Sequence, residues 1–378
     1  MGSWPQSIGA HTRSAARTGS KSPGGDMTEH IRERIWRWSP AIFVLSFALA
    51  LALLGGPGYT APVNVHDAIP QWIAQHPGQA IPVVIQTDDP SATETQIAAV
   101  GGEFKQELGI ISSVRATIPA NSVNRVASFN GVDYISLDAP VRMASDPNSG
   151  SDSAIWSLVS SFPVTVKADY AWAQGTFGTG VAVAVIDTGI SPSGHEDFKN
   201  TSGNSRVIAE VDLNSNTSNV TDGYGHGTHV AGIIGSNGSA DGGKFAGVAP
   251  DANLVNVKIS DDEGHAGIGE LVGGLGWVLA NKDAYNIRVV KLSLHSTAAQ
   301  SYKTSPLDAA IEMLWRNGIF VVVAAGNTGP GPEAVSFPPA NDPFVMTVGA
   351  SDDKGTTNFG DDVMATWSSS GFTQDGFF

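Results

Sequence analysis

Four polar residues in this chain have types and spacings suited to chemistry. In GYGHGTHVAG, residues 223–232, His226 and His229 stand three apart, which on a helix brings both rings near one face. Such a pair is a metal clamp, a satisfied core pair, or one catalytic base at a glycine-framed helix mouth. The segment holds no acid, whereas the H-E-x-x-H zinc-hydrolase helix needs a glutamate as its base. Asp187 follows six apolar residues in VAVAVID. A carboxylate losing solvation there needs a donor to stay ionised, and a histidine N–H is one; the alternative is an Asp that caps its own turn in DTGISPSG. Asn327 opens the glycine-rich end of VVVAAGNTGPG, where its amide either donates to a developing oxyanion or merely suits the turn.

Positioning these groups is the task of a repeated pattern. The runs GVAVAVID, ANLVNVKI, RVVKLSL and IFVVVAAGN read as buried strands, alternating with helical segments HVAGIIG, GELVGGLGWVLAN and SPLDAAIEMLWRNG, the last starting at Ser305 and stopping at Gly318. Apolar strands alternating with helices predict an α/β domain, a doubly wound parallel sheet with helices on both faces. Ligands in such folds sit beyond the carboxyl ends of the strands. Asp187, Ser293 with Leu294, and Asn327 end three of them and so should converge on one edge.

Residues 81–142 carry a different rhythm. IPVVIQ, EFKQELG, IISSVRATIP and VDYISLD read as strands, SATETQIAAVGG and NSVNRVASFNG as helices, the second capped by Asn121 or Ser122. The order βαββαβ predicts a small α+β, ferredoxin-like domain. A polar stretch, ASDPNSGSDS, follows as a linker.

Composition narrows the classes. The chain has 378 residues, no cysteine and a net charge of −15, and after residue 40 there are 15 basic against 33 acidic side chains. Such a body repels nucleic acid and anionic membranes, and it has neither disulfides nor a thiol nucleophile. From Met27 a basic stretch leads into the almost wholly apolar Ala41–Leu54 and then GGPGYTAP, the three-part pattern of a cleaved secretory leader. Fourteen residues are short for a membrane span, which needs about 20, so no stable anchor is expected.

Together the motifs resemble those of the subtilisin-like serine peptidases, the subtilases. VAVIDTGI is similar to the family's aspartate segment, GHGTHVAG to its histidine segment, AAGNTGP to its oxyanion segment, and KLSLHS to the Ser-Leu-Gly strand that holds substrate backbone. The resemblance covers about 155–378, and residues 81–142 look like the family's inhibitory propeptide. It implies His226 as general base, Asp187 as the group that orients it, Asn327 as oxyanion donor, and Ser293, Leu294 and His295 along the substrate cleft. His229 becomes structural support, and His295 departs from the glycine usual at its position. The implied order is an upstream extension (1–26), a signal peptide (27–61), a propeptide (62–143), a linker (144–154) and a catalytic domain (155–378). No cofactor or metal serves the chemistry, structural calcium is compatible with SDDEG (260–264), and the expected state is a secreted monomer acting on proteins or peptides, with its own propeptide as inhibitor.

One part of the family pattern is missing. After Asn327 the serines are Ser336, Ser351, Ser368, Ser369 and Ser370, and none stands in the Gly-Thr-Ser-Met-Ala context of the nucleophile. The chain is therefore expected to be an incomplete zymogen, inactive as given; the alternative is a non-catalytic, subtilase-like protein that binds peptides or inhibits peptidases.

Overall fold

The computed structural model describes residues 64–144 and 160–377. The leader read at 27–61, the extension before it and nearly all of the linker lie outside the described residues.

The amino-terminal part begins with helix α1 (Ala68–Gln75) and continues through β1 (Ala80–Thr87), α2 (Pro90–Ala99), β2 (Glu103–Leu108), β3 (Ser113–Pro119), α3 (Val123–Ala127) and β4 (Val132–Leu137). The strands form one antiparallel sheet in the order β2-β3-β1-β4. Asp89 starts α2 by accepting the Ala92 amide at 2.9 Å, with Pro90 in the first turn, where its missing N–H costs nothing. The α3 cap differs from expectation. Ser122 occupies the N-cap position but makes no side-chain cap, because Ala120–Ser122 is already wound as a 3₁₀ turn.

After β5 (Pro140–Met143), the short helices α4 (Phe162–Thr165) and α5 (Ala168–Ala173) lead into the larger sheet. Its chain order is β6 (Ala182–Asp187), β7 (Val207–Asp212), α6 (His226–Gly235), β8 (Asn253–Lys258), β9 (Ala266–Gly267), α7 (Ile268–Asn281), β10 (Ile287–Leu292), β11 (Leu294–Ser296), α8 (Pro306–Arg316), β12 (Phe320–Ala324) and β13 (Met346–Val348). Six of these strands pair in the order β13-β12-β10-β6-β8-β7, every neighbour parallel.

Alternation within each strand shows that the sheet is covered twice. Ala182, Ala184 and Ile186 of β6 join Val255 and Val257 of β8 in a core shared with α7 and α8. The intervening Val183, Val185 and Leu254 pack instead against Val230 and Ala231 of α6. Residues one apart on a strand point to opposite faces, so α6 lies on one side and α7 with α8 on the other. This is the doubly wound arrangement expected. Helix α8 starts as expected too, with Ser305 accepting the Asp308 amide at 3.2 Å.

The two parts meet along α7. A Cβ on Gly269 would overlap the Arg115 side chain, one on Gly273 would lie 3.3 Å from Gln106 Nε2, and one on Gly276 would lie 3.7 Å from Ile110. Glycine at these positions lets β2, β3 and their turn approach the helix closely. Arg115 then spans the junction: Nε donates to Asp138 Oδ2 at 2.6 Å and a terminal nitrogen to Glu270 Oε1 at 2.7 Å.

Candidate active site

Strand order decides which strand ends come together. Because β12, β10 and β6 are neighbours, Asn327, Ser293 and Asp187 emerge side by side at the carboxyl edge of the sheet. Strand order reverses at β6, with β8 and β7 on one side and β10, β12 and β13 on the other, and that is where such sheets open a crevice.

Helix α6 delivers His226 to this crevice as its first residue. The His226 Nδ1 donates to Asp187 Oδ1 at 2.6 Å, and the same oxygen accepts the Thr188 amide at 2.8 Å. Asp187 is 1% exposed, so its charge acts with little screening by water. Burial alone would push the His226 imidazole down. The hydrogen bond and charge of Asp187 outweigh it, helped by the Ala144 carbonyl and the more distant Asp222, and hold the ring above its ordinary value of 6.5.

Two features fix the helix mouth. A Cβ on Gly227 would overlap the Gly189 carbonyl and sit 3.1 Å from the Asp187 Cβ, so only glycine lets α6 approach the turn after β6. Asp222 braces the first turn. Its Oδ1 accepts the Gly225 amide at 2.7 Å and the Thr188 hydroxyl at 2.7 Å, and its Oδ2 accepts the Thr228 amide at 2.8 Å and hydroxyl at 2.6 Å. Burial would raise the Asp222 pKa, but these donors hold it below the ordinary carboxylate value. Thr188 completes the link by accepting the Gly227 amide at 2.8 Å. We expect Asp222→Ala to destabilise the fold by about 2–3 kcal/mol, as loss of a charged cap does, measured by urea unfolding. A loss below about 0.5 kcal/mol would mean that water replaces the carboxylate without cost.

Opposite His226 lies the chain's own β5. It runs between two short edge strands, antiparallel to both: Met143 pairs with Leu294, Arg142 with His295 and Val141 with Ser296 on β11, while Val141 pairs with Ala266 and Pro140 with Gly267 on β9. The register continues past the strand, with the Ala144 amide donating to the Ser293 carbonyl at 2.6 Å. The Ala144 carbonyl then accepts from His226 Nε2 at 3.3 Å. An ionised carboxylate and a carbonyl are both acceptors, so satisfying Nδ1 and Nε2 together requires the doubly protonated ring.

That requirement has a sign. A histidine whose folded pKa is raised contributes stability that is complete below its unfolded value of 6.5 and is lost as pH rises through the folded one. The grip of His226 on Ala144 should therefore weaken with rising pH. The protection of the 141–144 amides against hydrogen exchange, taken relative to their intrinsic base-catalysed rate at each pH, should be greatest in mild acid and fall toward alkaline pH; protection that is flat or rises contradicts the contact.

The other residues singled out in the sequence take distinct places. Ser293 is buried and presents its carbonyl to the cleft, Leu294 is fully buried and offers only backbone, and His295 is half-buried at the rim. Asn327 is half-buried where β12 opens into its loop. His229 is exposed on α6. Among the described residues, the side chains able to share a metal are Asp261, Glu263 and His265, and of these Asp261 already accepts the Glu263 and His265 amides and contacts the His265 ring.

Sequence reasoning missed three contributors. Asp222 had a legible signal, an acid just ahead of a helix start in TDGYGHGTH. Lys291 had none: it reads as an ordinary strand residue, yet burial pushes its amine down to about 8 against the raising effect of Asp187. Thr188 also depends on tertiary contact.

Known proteins similar to this chain include serine proteases. The model of the subtilase family matches residues 178–378. The chain is 37% identical over 205 residues to the serine protease AprX of Bacillus subtilis (strain 168), covering 53% of this chain and 45% of that protein. It is 34% identical over 227 residues to the minor extracellular protease Epr of the same organism, covering 60% and 31%. Among solved structures, fervidolysin from Fervidobacterium pennivorans, a keratinolytic enzyme related to subtilisin, superposes with a TM-score of 0.56 at 23% identity, over 77% of this chain and 45% of that one. The chain thus spans less than half the length of each of these relatives.

Proposed function

Because the chain belongs to the subtilase family, we propose that it is part of a secreted serine endopeptidase made as a zymogen, with the propeptide read at 62–143 extended by one residue, to Ala144. His226 is the general base, Asp187 holds its tautomer and stabilises the imidazolium, and Asn327 donates to the oxyanion. The reading requires a nucleophilic serine in the Gly-Thr-Ser context, which none of Ser336, Ser351, Ser368, Ser369 and Ser370 supplies.

The observation that carries this reading is the placement of β5. An extended segment fills the groove between β11 and β9 and brings one carbonyl, that of Ala144, to His226 Nε2. Peptide substrates that add a strand to exposed edges bind in the same way, main-chain hydrogen bonds giving affinity. Residues 62–144 therefore act as an intramolecular inhibitor, and cleavage after Ala144 frees the groove. The edge strand β13 leaves Met346 51% and Val348 45% exposed, an apolar surface open to a packing partner. A helix bearing the serine would cover such apolar surface.

Chemically, once a serine stands near His226, Nε2 takes its proton as the oxygen attacks the peptide carbonyl. The imidazolium so formed is stabilised by Asp187 and then protonates the leaving amine. Water repeats the sequence to release the acyl group.

The test is the downstream reading frame. A Gly-Thr-Ser in frame after codon 378, together with casein hydrolysis by the extended protein, supports the proposal. Peptide binding without cleavage by the extended protein would instead establish a peptide-binding shell.

A further inference from the structure

We propose that His295 limits the residue on the amino side of the scissile bond to alanine size; the inference rests on the peptidase reading above. The bound segment defines which residue that is. Ala144 donates its amide to Ser293 and offers its carbonyl to His226, so the bond following Ala144 is the one facing the base.

Side-chain alternation places His295 next to it. Along the extended segment Val141 and Met143 are buried, 4% and 9% exposed, while Arg142 between them is exposed. Arg142 and Ala144 therefore share the opposite face. His295 pairs directly with Arg142, so its ring stands on that same face, and Ala144 is its diagonal neighbour. Diagonal partners lie about 7–8 Å apart, within reach of an aromatic side chain.

The far wall of the space is the chain leaving β12. A methyl group on Gly326 would lie 3.8 Å from His295 Cδ2 and 3.0 Å from Ser369 Oγ. A side chain at Gly326 would thus meet both the imidazole and Ser369, so the ring and the Gly326 backbone border one narrow space. It is held there: Nδ1 contacts the Ser296 carbonyl at 2.9 Å, and the ring tilts against Phe337 with centroids 5.9 Å apart. Ser369 is fixed as well, its hydroxyl oxygen 2.9 Å from that of Thr328. Both walls are braced, and the residue that the chain's own segment places beside them is Ala144, with only a methyl group.

The experiment uses the full-length protein, extended through its in-frame serine, with peptide p-nitroanilides Pro-Val-Arg-Met-X in which X is Ala, Leu or Phe. We expect the native protein to favour Ala over Phe in kcat/KM by about 100-fold or more, the scale on which a pocket rejects excess apolar bulk. His295→Gly and, as a check on folding, His295→Ala should each shift the Phe/Ala ratio upward by at least about 10-fold. An unchanged ratio in both variants overturns the assignment, as does a native preference for Phe. Failure of the native protein to cleave both these peptides and casein would overturn the peptidase reading itself.

Discussion

Extended through its serine, the protein should lose about 10⁶-fold in kcat on His226→Ala, the magnitude known for loss of the corresponding histidine in subtilisin. The reason it should apply is geometric. His226 Nε2 is the ring nitrogen that faces the peptide carbonyl, and Nδ1 is committed to Asp187 at 2.6 Å. Among the described residues, no neighbouring group can take over as base. Lys291, with an amine pushed down to about 8, is the nearest in character, but it lies within β10, paired with Val185 and one residue before the strand ends. Alanine would leave binding through β9 and β11 intact, so KM should move little while kcat falls. Initial rates on a chromogenic peptide measure both. A kcat loss under about 100-fold would remove His226 as the base, since that is the lower bound of ordinary acid–base assistance.

Much of this site was legible because its parts are local. Asp187 ends an apolar run, His226 follows glycine at a helix start, and Asn327 follows another strand closely; period and punctuation place each of them on the same sheet edge. The doubly wound sheet was legible for the same reason. What stayed hidden depends on pairing between distant segments. Pro140–Met143 carries no strand signal of its own, being short, led by proline and followed by the polar linker, and it becomes a strand only between β9 and β11. Met346–Val348 is likewise a strand through its parallel pairing with β12. The role of Gly227 is visible only once Gly189 is known to cross it. His295 was recognisable as a departure from glycine, whereas its bearing on Ala144 needed the register of β5.

Arg115→Ala should weaken the hold of the amino-terminal part on the catalytic part by about 3–5 kcal/mol, the cost of breaking a buried charge network from one side. Arg115 lies between two acids that are almost wholly buried, Asp138 and Glu270, whose side chains are 3% and 6% exposed. Each acid also serves the start of α7: Asp138 Oδ1 accepts the Gly269 amide at 2.9 Å, and Glu270 Oε2 accepts the Gly267 amide at 3.0 Å. These amides and the positive end of the helix stabilise the carboxylates in part. They cannot replace a guanidinium, and without it two negative groups face each other with little solvent. Denaturant unfolding of the 378-residue chain measures the loss, and hydrogen exchange should show residues 132–144 opening first. Substitution of the whole set distinguishes a charge effect from lost packing. Arg115→Met combined with Asp138→Asn and Glu270→Gln should recover more than half of the loss, because no unpaired charge remains while an unbranched stem keeps its volume against Gly269. If the triple variant is as unstable as Arg115→Ala, the arginine acts through packing on α7 and the ion network contributes little.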